Sequence, residues 1–171
     1  MDVSAKAPST VRRMGNQIEV RREISAPADT VYRFVSDVTR MGEWSPETTG
    51  CAWINGDDGP AVGARFKGTN KHGSKTWSTV CTVVAADPGR RFAFTVAAGP
   101  VKIAEWAYVI EPTATGCVVT ETWADCRGGL IGGLIKRLGK PVSGVGDREE
   151  HNRAGMETTL ERLAAKAESA G

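Results

Sequence analysis

A chain of 171 residues with 40% hydrophobic and 25% charged residues holds enough apolar material for one compact core, so a single domain is expected. Lys and Arg number 22 against 20 Asp and Glu, a net charge of +2 that is too balanced for a protein that grips a polyanion, so nucleic acid is not the expected partner. Five Trp against two Tyr and four Phe, together with 20 Gly, suggest a hollow lined by indoles.

Residues 1–15 are small, polar and basic and read as a flexible tail. They lack the apolar run of a secretory signal, so a cytoplasmic setting with reduced thiols is expected. From Asn16, Ile18, Val20 and Ile24 alternate with Glu19, Arg21 and Glu23, which predicts a half-buried strand. Pro27 suits a first helical turn, and Val31, Phe34, Val35 and Val38 follow it at offsets of 4, 7, 8 and 11, the stripe of a short amphipathic helix. Gly42 and Pro46 allow one more helical turn before the chain extends.

Between Thr48 and Cys126 the period is two, broken by turn residues at 55–60, 71–73, 87–89, 98–100 and 113–116. Six strands are predicted there, over 48–54, 63–70, 74–86, 90–98, 101–111 and 116–125. Residues 128–146 carry seven glycines. Leu130, Ile131, Leu134, Ile135 and Leu138, with Lys136, Arg137 and Lys140 nearby, could form a mobile lid or a flap that touches a membrane transiently through 128–140, or a loop tucked beneath the last helix. Gly139-Lys140 is followed by Pro141, so the segment is not a phosphate loop. Asp147 and Glu150 then resemble a capping box that opens a helix to about Glu168. At about 1.5 Å per residue such a helix spans roughly 30 Å, enough to cross a small sheet.

These elements give an α+β fold. About seven antiparallel strands curl around the long C-terminal helix, with one or two short helices after the first strand, because that helix carries the one large apolar stripe left to cover the inner face. A filled sandwich is the alternative. With Met156 pointing inward, Leu160, Leu163 and Ala167 fall within about 40° of it, whereas the same stripe toward the N-terminus meets Arg153, Asn152 and Glu149. That polar half either overhangs solvent or borders the mouth of a chamber.

Alternation assigns Trp106 and Tyr108 to the inner face, opposite Glu105, Val109 and Glu111. Phe92, Phe94 and Val96 form another inner set, and Trp77 belongs to a strand whose face is less clear. Cys117, Val119, Glu121 and Trp123 share a face. In one register Glu121 is a carboxyl inside an apolar chamber, with a raised pKa that suits a general acid or base; in the other it lies on the wet convex side. Cys51, Cys81, Cys117 and Cys126 have no CxxC spacing and no histidine at zinc-finger distance, so they read as small core residues and no metal or redox cofactor is expected. His151 lies about 140° from the Met156 direction and His72 falls in a turn, so neither is placed as a general base.

Three patterns resemble the START-like, or SRPBCC, superfamily, in particular its polyketide cyclase/dehydrase and lipid-transport group. They are Ile24-Ser25-Ala26-Pro27-Ala28-Asp29-Thr30-Val31 running to Phe34 and Asp37, then Trp44-Ser45-Pro46, then Glu105-Trp106-Ala107-Tyr108. A closing helix with Met156, Thr159-Leu160 and Leu163 completes the likeness, which covers residues 16–168 as one ligand-binding domain. The resemblance implies a helix-grip fold with a deep apolar cavity between the sheet and the last helix, and ligands that are lipidic or ring-bearing. The matching wall positions are Trp44, Phe66, Trp77, Phe94, Trp106, Tyr108 and Met156, with Asn152 and Arg153 at the rim. Two functions follow as expectations. One is carriage or sequestration of a small hydrophobic ligand; the other is a cofactor-free cyclase or dehydratase using Glu121 as acid/base. The chain is expected to act as a monomer or homodimer.

Overall fold

The structure is a computed structural model, and residues 9–128, 133–134, 137 and 143–170 are described. The chain runs through β1 (Thr10–Met14), β2 (Gln17–Ile24), α1 (Ala28–Ser36), a 3-10 turn (Val38–Glu43), β3 (Thr48–Ile54), β4 (Arg65–His72), β5 (Lys75–Asp87), β6 (Arg91–Ala98), β7 (Val101–Thr113), β8 (Gly116–Asp125) and α2 (Arg148–Ser169). The strands form one antiparallel sheet in the order β1-β2-β8-β7-β6-β5-β4-β3. Apart from the step from β2 to β3, taken up by α1 and the 3-10 turn, every connection joins strands that are neighbours in the sheet. This is the helix-grip architecture.

The sheet has eight strands where about seven were expected. The extra strand is β1, which lies inside the segment 1–15 expected as a tail. It pairs with β2 from Thr10↔Arg21 to Met14↔Gln17, leaving only Gly15 and Asn16 in the turn. Gly15 has φ +60, the conformation that a two-residue hairpin turn needs at its first position and that glycine adopts without steric cost. The signal was therefore the Gly-Asn pair rather than hydrophobic alternation, which Arg12 and Arg13 obscure.

Helix α2 begins as its sequence predicts: the Asp147 side chain accepts a hydrogen bond from the Glu150 backbone N–H at 3.1 Å. Its apolar stripe is buried at Met156, Leu160, Leu163, Ala164 and Ala167, in one cluster with Val20, Val83, Phe92, Ile110 and Val119 from the sheet. Helix α1 adds Val31, Tyr32 and Val35 to the same cluster. Each fully buried aliphatic side chain of this kind contributes roughly 1.5–3 kcal/mol. The core therefore fills the space under the second half of α2.

The closed end is tight. Gly116 starts β8 where the chain passes Ile24 and Ala26, and a Cβ at this position would collide with the Ile24 carbonyl oxygen and lie 3.0 Å from the Ala26 nitrogen. Both are backbone atoms, so neither can swing aside. Gly116→Ala is expected to cost about 1–3 kcal/mol of stability, the range for forced overpacking, and urea denaturation monitored by Trp fluorescence would measure it.

Candidate functional site

Under the first half of α2 the fold is hollow. A cavity of about 1230 Å³ opens between the helix and the sheet, larger than the roughly 300–1,000 Å³ usual for small-molecule sites. Its wall takes Phe66 from β4, Trp77, Thr79 and Cys81 from β5, Phe94 and Val96 from β6, and Asn152, Met156 and Thr159 from α2. On β7 and β8 the lining consists of Ile103 and three cross-strand pairs, Ala104↔Asp125, Trp106↔Trp123 and Tyr108↔Glu121. The next pair inward, Ile110↔Val119, belongs to the packed core, as do Leu160 and Leu163 beneath Thr159 on α2. Along these strands the cavity therefore ends at Tyr108 and Glu121.

The two faces left open for β8 are distinguished by its pairing. Val20↔Glu121 and Tyr108↔Glu121 put Glu121 on the inner face between two buried neighbours, and it is only 2% exposed. Tyr108, 4% exposed, donates its hydroxyl to Glu121 Oε1 at 2.9 Å. Glu121 Oε2 is buried with no hydrogen-bond partner among the described residues. Burial pushes the Glu121 carboxyl up from its ordinary 4.5 to about 8, against a smaller downward pull from the Tyr108 hydrogen bond. Burial and the neighbouring Glu121 hold the Tyr108 phenol well above its usual range, so it remains a donor. At neutral pH the end of the cavity therefore carries a neutral carboxylic acid and a phenol.

The aromatic walls pack edge-on or tilted. Phe66 meets Phe94 at 5.1 Å between centroids, Trp53 meets Phe66 at 5.6 Å, and Trp106 meets Trp123 at 6.5 Å. Two of the expected site residues lie elsewhere. Trp44 is fully buried in the core, edge-to-face with Phe34 at 6.0 Å, because the 3-10 turn folds it back toward α1 instead of the cavity. Arg153 bonds Glu150 at 2.6 Å and Glu157 at 2.9 Å on the outer flank of α2, facing a small cleft with Val11 and Ile18. The remaining expected positions, Phe66, Trp77, Phe94, Trp106, Tyr108, Glu121, Asn152 and Met156, all line the cavity.

The two histidines come together at the mouth, which single-face reasoning on α2 missed. The His72 and His151 rings lie edge-to-face at 4.7 Å, and His151 Nε2 is 3.1 Å from Glu47 Oε1. Arg148 donates to the same Glu47 oxygen at 2.8 Å and stacks its guanidinium 5.4 Å from the Trp77 ring. His72, the last residue of β4, packs on His151 here, so a direction about 140° from Met156 also meets protein. In the described residues of the glycine-rich segment, Ser143 and Val145 are buried and line this end. The lid or membrane flap expected over 128–140 rests on leucines, isoleucines and lysines that fall mainly outside the described residues. No described helix is long and apolar enough to cross a membrane.

Cys81 and Cys117 are buried, as their reading as core residues expects, whereas Cys51 and Cys126 are only half-buried; burial alone pushes Cys51 and Cys117 up to about 11 and drives the rise of Cys81 to about 12.

A family model described as polyketide cyclase / dehydrase and lipid transport matches residues 16–168. The chain belongs to this family. Among solved structures, the Polyketide_cyc-like protein Cgl2372 of Corynebacterium glutamicum is 34% identical, with 93% of this chain and 90% of that one covered and a TM-score of 0.50. Protein CV1439 of Chromobacterium violaceum is 21% identical over 91% of this chain and 99% of that one, with a TM-score of 0.66. An AHSA1-like protein of Aeromonas hydrophila is 18% identical over 91% and 94%, with a TM-score of 0.59. The last two share the fold. No curated protein matches the sequence. In this member of the family, the feature that sets the cavity's chemistry is the acid at its inner end.

That acid makes stability depend on pH. The folded state binds the Glu121 proton more tightly than the unfolded chain does, so its contribution to stability is fully present below about pH 4.5, falls between 4.5 and about 8, and levels off above. A tenfold difference in proton affinity between the two states is worth about 1.4 kcal/mol. Glu121→Gln is expected to remove this slope and to be more stable than wild type above pH 8. Urea denaturation of both proteins from pH 5 to 8.5 would show diverging stabilities; parallel curves would contradict the buried neutral acid.

Proposed function

We propose that the protein binds a small hydrophobic ligand, lipidic or an aromatic polyketide, inside the cavity and thereby carries or sequesters it. The single observation that supports this best is a large hollow walled by Phe66, Trp77, Phe94, Trp106 and Trp123. An apolar guest gains about 25 cal/mol for each Å² withdrawn from water, and flat aromatic walls favour rings or extended chains. Membership in the family gives the same direction.

A second reading is supported by Glu121. A neutral carboxylic acid beside a phenol, shielded from water, can protonate a carbonyl oxygen as a ring closes or assist a departing hydroxyl. The cavity would then act as the mould of a cyclase or dehydratase that needs no cofactor.

Native mass spectrometry of protein purified from its own host, followed by Trp quenching with fatty acids, sterols and aromatic polyketides, tests the first reading. We expect a copurified ligand and quenching by at least one class, with Trp106→Ala weakening that binding about tenfold. An empty protein with no quenching across the panel would refute it. Glu121→Gln separates the readings: a carrier keeps its binding, whereas an enzyme keeps binding and loses turnover.

A further inference from the structure

From the geometry of the inner end we infer that the cavity selects ligands bearing a neutral acceptor oxygen, a ketone or quinone carbonyl, which Glu121 binds as a hydrogen-bond donor. This inference rests on the ligand-binding reading above and specifies the ligand's chemistry. The Tyr108 hydroxyl is already committed to Glu121 Oε1 at 2.9 Å. A carboxylate in this place would be a buried charge, and no cation among the described residues bonds it, so the group is held as the neutral acid. The neutral acid has one proton, and with Oε1 accepting from Tyr108 that proton sits on Oε2, the oxygen without a partner among the described residues.

Buried donors in folded proteins are almost always satisfied, so a lone one in the wall of a large cavity points to an acceptor brought by the guest. The position of the pair favours this further. A guest entering along β7 and β8 passes the paired indoles Trp106 and Trp123 first and meets Tyr108 and Glu121 last, with solid core beyond. A ring system stacked on the indoles would thus present an oxygen on its leading edge to the acid. A carboxylate head would not suit this end, because it would have to share a dry site with an acid whose ionised form is disfavoured.

The test uses the full chain and two probes of nearly equal shape, 2-acetylnaphthalene, which carries the carbonyl, and 2-isopropylnaphthalene, which does not. Affinities come from Trp quenching in wild type, Glu121→Gln and Glu121→Met. Gln keeps a neutral donor and Met removes it, while both relieve the buried acid and should fold. We expect wild type to prefer the ketone about tenfold, as one net buried hydrogen bond allows, Gln to retain the preference within a few-fold, and Met to lose it. With a ¹³C-labelled carbonyl, the C=O stretch of the bound ketone should lie at lower frequency in wild type and Gln than in Met. Equal affinity of wild type for both probes, or a preference that survives in Met, would overturn the donor role and leave cavity binding standing. Failure of both probes to bind wild type at all would overturn the donor role and cavity binding together.

Discussion

The seating of the second half of α2 on the sheet governs the remaining geometry. Leu160, Leu163 and Ala167 are fully buried against the strands, and with α1 they make a solid base. That base anchors the helix, so its first half is held above the sheet whether or not anything lies beneath it. Where the helix residues become Asn152, Gly155 and Met156, side-chain volume no longer fills the gap, and the cavity begins. A helix that spanned the sheet with leucines throughout would give a filled sandwich.

Placing a hollow beside a core gives the polar groups between them unusual properties. Glu121 sits at the boundary, deep enough to lose solvation and close enough to the cavity to form part of its wall. The acid is therefore costly above neutral pH, and a fold optimised only for stability would replace it with an apolar residue of similar size. Its presence, with Tyr108 arranged to occupy one oxygen and leave the other, is best understood as a cost accepted for recognition or chemistry. The mouth is organised on the opposite principle. Glu47, His151, Arg148 and His72 are partly exposed and tied to one another, so they can rearrange as a guest passes with little change in stability.

Some features of this chain are local and could be read from residues alone. The strand boundaries from Thr48 to Asp125, the Asp147 cap and the buried stripe of α2 depend on period, turn chemistry and capping, which are properties of a few neighbouring residues. The inward direction of Trp106 and Tyr108 was legible for the same reason, since Glu105 and Glu111 identify the wet face of their strand. Trp44 was expected at the wall from the resemblance alone, since an irregular 3-10 turn gives no period from which its direction could be taken.

Strand β8 marks the limit. Cys117-Val118-Val119-Thr120 and Thr122-Trp123 leave both faces similar in polarity, so alternation within the strand could not decide where Glu121 points. The register did, because pairing with both Val20 and Tyr108 places the carboxyl on the face already buried by its neighbours. The meeting of His72 and His151 across 79 positions of sequence is likewise a product of how α2 and the end of β4 are brought together. Short-range patterns along the chain were thus enough for the elements, their order and the aromatic character of the inner face. That this face encloses a hollow ending in a neutral acid came only with the assembled fold, because register and helix seating are set by contacts between distant segments.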